Sequence, residues 1–166
     1  TVTKKRLGEI IEEVFIKNNM EVAARVVDKV KLLGFEMATR SGITWSIGDM
    51  IVPPEKKEIM RVAEENVAQI RMQFSEGLLA ENERRTKVIQ IWEKAREHLA
   101  KFVSQVLPKD NPIYQIVDAG ARGTWAQPLQ TMGMKGIVVN PKNEKIELPI
   151  KSSYKEGLSV LEYFIS

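Results

Sequence analysis

Apolar positions recur at helical spacing from the start of the chain. Leu7, Ile10, Ile11, Val14 and Phe15 share one helix face, Asn18-Asn19 interrupts, and Val22, Val26, Val27, Val30 and Leu33 form a second stripe. Gly34 is placed to end that second helix in a left-handed conformation. Between Gly42 and Val52 the period shortens. Ile43, Trp45 and Ile47 alternate with Thr44 and Ser46, which predicts a short strand, followed by a turn at Gly48-Asp49 and a stop at Pro53-Pro54.

The longest helical pattern begins at Glu55. Ile59, Ala63, Val67, Ile70 and Phe74 step by three or four, with charged residues on the other faces and Gly77 near a break. A second long helix from Glu81 to Val106 carries Val88, Trp92, Ala95, Leu99, Phe102 and Val106 on one side. Two adjacent helices with narrow apolar stripes and a short turn between them predict an antiparallel coiled-coil hairpin. Helices of this length would project about 30 Å, and so slender a pair needs a larger base to rest on. After Pro108 the texture changes. Residues 118–136 are rich in glycine and small residues and read as loop; Ile137 to Val139 and Ile146 to Ile150 read as two short strands turning at Pro141-Lys142-Asn143. Gly157 to Ser166 begins an apolar helix with Leu158, Leu161, Tyr163, Phe164 and Ile165, and it stops without a cap. The expected fold class is mainly α with small β elements: a long antiparallel helical hairpin (coiled coil) on a mixed α/β base. Three segments are expected: 1–53 (helices and a short strand), 54–107 (the hairpin) and 108–166 (a Gly-rich stretch, a β-hairpin and the start of a helix).

Composition narrows the class without naming a function. The 166 residues are 43% hydrophobic and 28% charged, and no window approaches the roughly 20 apolar residues of a membrane span. The basic stretch Thr1 to Arg6 lacks the apolar core and cleavage site of a secretory signal. Without cysteine there is no disulfide framework or thiolate metal site, which fits a cytoplasmic location. A net charge of +3 is only mildly basic.

Most catalytic signatures are missing. There is no phosphate-binding P-loop, GxGxxG, HExxH or EF-hand loop, and no Asp-x-Asp-x-Asp cluster to hold magnesium, so neither a complete catalytic set nor a metal site is expected in this chain. The single histidine, His98, lies in the charged run of a predicted helix with no nucleophile placed beside it, which favours a structural or solvent-facing role over a general base. One stretch stands out on physical grounds: Asp118-Ala-Gly-Ala-Arg-Gly-Thr124. Small residues around one arginine let the backbone approach a partner and leave the guanidinium prominent, suited to planar contact with phosphate. A tight turn whose arginine pairs with an internal carboxylate such as Asp118 is the other reading.

With that stretch, and with Gln127 and Gly133-Met134-Lys135-Gly136 after it, the sequence resembles the largest catalytic subunit of bacterial RNA polymerase, beta-prime, where the pattern runs Ser-Gly-Ala-Arg-Gly-Ser, then Gln, then Gly-Met-Arg-Gly. Leu33-Gly-Phe-Glu-Met-Ala-Thr-Arg-Ser-Gly42, Val52-Pro-Pro-Glu-Lys-Lys57, Lys87-Val-Ile-Gln-Ile-Trp92 and Tyr154-Lys-Glu-Gly-Leu-Ser-Val-Leu-Glu-Tyr-Phe-Ile-Ser166 match the same subunit, in the same order. The resemblance implies a nucleotidyltransferase role (DNA-directed RNA synthesis) only within the complex. The metal-binding catalytic loop lies elsewhere in the family, so magnesium belongs to the assembled polymerase and no cofactor to this chain. It further implies that the hairpin is the rim of the secondary channel, through which nucleotides enter and backtracked RNA leaves. Regulators of the Gre and DksA type dock there, in some lineages with guanosine tetraphosphate between them and the rim. The positions matching the basic part of that rim are Arg84 and Lys87; Arg85, placed in the rim beside them, and Thr86 stand where some relatives have Tyr and Asn.

By the same resemblance Arg122 is expected to address phosphates of an incoming nucleotide or displaced RNA end, with Gln127 and Lys135 nearby. Lys135 replaces the usual Arg, and Trp125, Pro128 and Leu129 depart from small residues, Ile and a second Arg. Met134 is expected to pack. Trp92 is expected in the hairpin core, with a regulator anchor as its other reading. Gly157 to Ser166 would lead into the bridge helix. The implied partners are the other polymerase subunits, channel regulators, template DNA and RNA, with no membrane. Two alternatives of other classes remain: a free-standing interaction protein that binds partners through its hairpin, and a basic nucleic-acid-binding module. The acidic residues interleaved on both hairpin helices disfavour the latter.

Overall fold

The computed structural model describes residues 2–166, and the chain is mainly helical. It divides into two units, Thr1–Asp49 with Lys109–Gly123, and Met50–Pro108 with Thr124–Ser166.

In the first unit, α1 (Lys4–Lys17) and α2 (Met20–Ser41) pack on each other. Thr3 caps α1 through its side chain, and Asn19 caps α2 by accepting from the Val22 N–H at 2.9 Å. The paired asparagines therefore separate the helices as the sequence predicts. Leu7, Ile10, Ile11 and Val14 of α1, and Val22, Val26 and Val30 of α2, are half-buried, and Ala23 is buried. Gly34 does not end α2. The helix runs through it to Ser41, and Gly42, at φ 59°, makes the left-handed exit. The physical reason is that an interior glycine costs a helix only about 1 kcal/mol, and Phe35 to Arg40 continue helically beyond it. The strand expected at Ile43 to Ile47 is also absent. Asp49 accepts from the Ser46 N–H at 2.6 Å and its hydroxyl at 3.2 Å, which curls the chain into a 3-10 turn at Ile47–Asp49. Apolar alternation without a neighbouring strand edge leaves backbone groups unpaired, so a side-chain-closed turn wins. α5 (Pro112–Asp118) completes the unit, capped by Asn111, whose amide also donates to the Asp49 carbonyl at 2.8 Å.

The second unit is organised on α3 (Lys56–Ser75) and α4 (Glu81–Val106), the helical hairpin. Its turn is set by Gly77 at φ 76°: the Leu78 N–H bonds the Gln73 carbonyl and the Gly77 N–H bonds that of Phe74, each at 3.0 Å. Ile59, Ala63 and Val67 of α3 face Val88, Ile89, Trp92, Ala95, Leu99 and Val103 of α4, all buried. Trp92 is thus hairpin core, 4% exposed, whereas Phe102 and Val106 are only half-buried and Val103 takes the inner place.

The stretch read as loop also contains regular turns. α6 (Ala126–Pro128) leads into a π-helical turn at Leu129–Gly133 that lies against α4. Leu99, Met132, Met134 and Ile150 are each 0% exposed and close the core of this unit, each contributing about 1.5–3 kcal/mol of burial. The two strands expected at 137–139 and 146–150 reduce to isolated antiparallel bridges, Gly136 with Ile150 and Val139 with Lys145. Pro149 has no N–H to give a ladder, and the arm's polar side chains engage α3 and α4 instead, so a continuous ladder never forms. A mixed α/β base is therefore not what supports the hairpin within this unit. The last helix, α7 (Val160–Ile165), starts three residues later than the pattern suggested, because Ser159 and Glu162 form a reciprocal N-terminal cap.

Candidate functional site

The Arg122 loop belongs to the first unit. Gly120 (φ 69°) and Gly123 (φ 77°) flank it in the left-handed region that favours glycine. The Lys4 N–H holds the Ala119 carbonyl at 3.2 Å, and a Cβ on Gly120 would sit 3.4 Å from that of Lys4, so the loop is tied to the start of α1. Arg122 and Asp118 are both exposed, and among the described residues the guanidinium makes no ion pair with Asp118 or any other carboxylate.

Gln127 and Lys135 belong to the second unit. The Gln127 Oε1 accepts from the Thr124 N–H (2.8 Å) and hydroxyl (2.9 Å), so the side chain closes the turn into α6. Its –NH2 remains for a ligand. The Lys135 Nζ donates to the Ser166 carbonyl at 2.8 Å and stands 5.9 Å from the Tyr154 ring centre. The glycines around it are explained by packing. A Cβ on Gly133 would lie 2.8 Å from Leu129 Cδ1 and 3.0 Å from Leu99 Cδ2. One on Gly136, which has φ 89°, would lie 2.6 Å from Arg96 Cδ. Gly-Met-Lys-Gly is thus the seam that docks this segment on α4, with Met134 wholly inside it.

At the hairpin tip the three rim candidates have different surroundings. Arg84 grips Glu147 with two hydrogen bonds, Glu81 with two more, and lies 5.4 Å from the Phe74 ring centre; its side chain is 14% exposed. These carboxylates hold its already high pKa higher still, with Glu81 the larger influence. Arg84 is an internal clamp. Arg85 is exposed and donates to the Lys145 carbonyl at 2.8 Å. Lys87 is exposed and lines a shallow depression of about 380 Å3 with Asn82, Glu83, Thr86 and Gln90.

Sequence reasoning missed two carboxylate clusters in the C-terminal block. Glu162 accepts from the N–H groups of Lys151, Ser152 and Ser159 and from both serine hydroxyls, at 2.8–3.0 Å. Partial burial pushes its pKa up, but these donors together outweigh that and hold it at about 2. Glu156 accepts from the N–H and hydroxyl of the fully buried Ser153 and pairs with the buried Lys56. Here too burial pushes the pKa up and the bonds from Lys56 and Ser153 bring it lower. The Pro-Pro-Glu-Lys-Lys and Tyr-Lys-Glu-Gly blocks, far apart in sequence, therefore meet through Lys56 and Glu156. A Ser-x-x-Glu signal at 159–162 marked only the helix cap; nothing in the sequence marked the pairing. The ring of exposed His98 lies 5.4 Å from that of Phe102, tilted to it by 58°, a surface contact with no nucleophile. Among the described residues no group of three or more His, Asp or Glu is placed to ligate a metal, so the donor set here does not fit a magnesium centre.

Residues 1–50 match the family model described as RNA polymerase Rpb1, domain 3, and residues 50–155 match RNA polymerase Rpb1, domain 4. Their junction coincides with the change of unit after Asp49. The chain is 44% identical over 165 residues to DNA-directed RNA polymerase subunit beta-prime of Acidothermus cellulolyticus, covering 99% of this chain and 13% of that protein. It is 45% identical over 163 residues to the subunit of Lysinibacillus sphaericus (98% and 13%) and 48% over 163 residues to that of Nocardia farcinica (98% and 12%). The chain therefore spans about an eighth of the length of these curated relatives.

Proposed function

The chain belongs to the RNA polymerase Rpb1 family as part of a beta-prime subunit, and from that premise we propose that it serves DNA-templated RNA synthesis beside the active centre of the assembled enzyme. The observation that carries this reading is the family match over residues 1–155. Nucleotidyl transfer belongs to the complex, with other subunits, template DNA and RNA as partners and the cytoplasm as its place. Magnesium would be held by residues outside this chain.

Within that role Arg122 contacts phosphate of the incoming nucleotide or of the displaced RNA end. Its exposure, and its having no carboxylate partner among the described residues, support this, since a guanidinium already paired would have to exchange partners. In the second unit, Gln127 offers its amide and Lys135 its charge to phosphate or other polar groups of nucleotide or RNA. The α3–α4 hairpin forms the secondary-channel rim, where a coiled-coil regulator of the Gre or DksA type docks on Arg85 and Lys87. Arg84 contributes to that surface by fixing the 144–148 arm rather than by meeting the regulator.

Arg122→Ala in the reconstituted polymerase tests the first assignment. The expected result is a loss of about tenfold or more in kcat/KM for nucleotide or in cleavage of backtracked RNA, the scale of one charge-assisted contact. Unchanged kinetics in both reactions would remove Arg122 from the site.

A further inference from the structure

Arg96 is a second arginine whose charge is unanswered. It sits on α4 between Glu93 and Gly136, half-buried, and among the described residues its guanidinium makes no hydrogen bond or ion pair. The nearest candidate on its own helix, Glu93, pairs with Lys145 instead. The stem of Arg96 is held in place by a missing side chain. Gly136 passes so close that a Cβ there would lie 2.6 Å from Arg96 Cδ and 3.3 Å from Nε. The guanidinium borders a depression of about 320 Å3 lined by Glu93, Arg96, Gln130, Lys135, Ile137 and Val138. Counting charges around it, Arg96 and Lys135 are positive and the one carboxylate is neutralised by Lys145. The depression is therefore net positive, with the Gln130 amide as a further donor and an apolar wall at Ile137 and Val138.

We infer that Arg96, Lys135 and Gln130 form a binding site for a small phosphate-bearing anion. A fork of N–H donors, an ammonium and an amide around one recess is the donor set that a phosphoryl group's oxygens take. Arginine always carries its charge, so burying it half-way without a partner costs stability that an anion would return. Lys135 is shared with the function proposed above, but Arg96 is not, and the two assignments part at that residue.

The test reads Lys135 directly. In the complete subunit within assembled polymerase, without template or substrate, lysines are acylated at increasing concentrations of inorganic phosphate or a nucleoside monophosphate, and labelling is quantified peptide by peptide. Lys135 is expected to be protected saturably, while exposed Lys142 at the turn of the 136–150 arm is not. Arg96→Gln should raise the half-protecting concentration about tenfold, the loss of one charge-assisted contact, and Arg71→Ala, which removes an exposed arginine of α3, should leave it unchanged. Equal protection by both ligands assigns a free-phosphate site; stronger protection by the nucleotide assigns a nucleotide's phosphate; either upholds the proposal. No protection of Lys135 up to about 10 mM, far weaker than a built site would give, would overturn it, pointing to a carboxylate elsewhere in the subunit as Arg96's partner. Protection lost in Arg122→Ala but kept in Arg96→Gln would also overturn it, and would return Lys135 to the reading above.

Discussion

Replacing Gly133 by alanine adds one methyl group where there is no room for it. The new Cβ would stand 2.8 Å from Leu129 Cδ1 and 3.0 Å from Leu99 Cδ2, and Leu99 and Leu129 are themselves 0% and 4% exposed. In an open helical turn the same change would gain about 0.5–1 kcal/mol, because alanine has less backbone freedom to lose. Here overpacking costs about 1–3 kcal/mol, so the net expectation is a loss of about 1–2 kcal/mol. Leu99→Ala alone should cost about 2–5 kcal/mol through the cavity it leaves. In that background the methyl finds one of its two obstacles gone and space into which Leu129 can shift. The cost of Gly133→Ala should then fall by about 1 kcal/mol, a coupling well above the scatter of about 0.3–0.5 kcal/mol expected of independent sites. Urea unfolding of the four proteins, followed by the helical circular dichroism signal, measures the cycle. Strict additivity, or a stabilising Gly133→Ala, would refute the claim that Gly-Met-Lys-Gly is a packing seam.

Three further outcomes follow from the polar clusters. The Glu162 pKa of about 2 lies below its ordinary value of 4.5, so its contribution is fully present above about pH 4.5 and fades as pH falls through about 2. Glu162→Gln should cost about 1–2 kcal/mol at pH 7, after discounting for partial exposure, and less at each step down; a cost independent of pH between 5 and 2 contradicts the donor count. Glu156→Ala leaves the Lys56 ammonium buried without its partner and should destabilise by about 2 kcal/mol, restored in part by the second change Lys56→Met; denaturant midpoints of the single and double variants decide it. Arg84→Ala should speed hydrogen exchange at the Ile146 amide, which bonds the Val138 carbonyl at 2.8 Å, whereas Lys87→Ala should leave that amide unchanged; equal effects would deny Arg84 its clamp role.

What the sequence made legible was what depends on local period and local chemistry. The hairpin could be read because Ile59, Ala63 and Val67 and their α4 counterparts keep helical spacing on one face. Asn18-Asn19 and Gly77 could be read because capping and left-handed turns are decided within a few residues. Gly34 misled because a glycine's preference for helix ends is worth less than a run of helix formers on both sides. Ile43 to Ile47 and the 136–150 arm misled because alternation predicts a strand only where a partner edge exists, and one arm contains Pro149 while the other partners are on α4. Of the candidate site, Arg122 was visible through its glycines. The commitments of Arg84 to Glu147 and Gln127 to Thr124, and the free state of Arg96, were not. Each depends on which side chains a fold brings together across tens of residues, and no spacing encodes that.

An exchange tests whether this chain serves RNA synthesis in an assembled polymerase. Residues 1–166 would replace the aligned segment in the beta-prime subunit of Lysinibacillus sphaericus, with which the chain is 45% identical, and the reassembled polymerase would be assayed for templated RNA synthesis. The expected result is an enzyme that assembles and extends RNA, and that weakens when Arg122→Ala is added. An enzyme that assembles normally yet makes no templated RNA would contradict it.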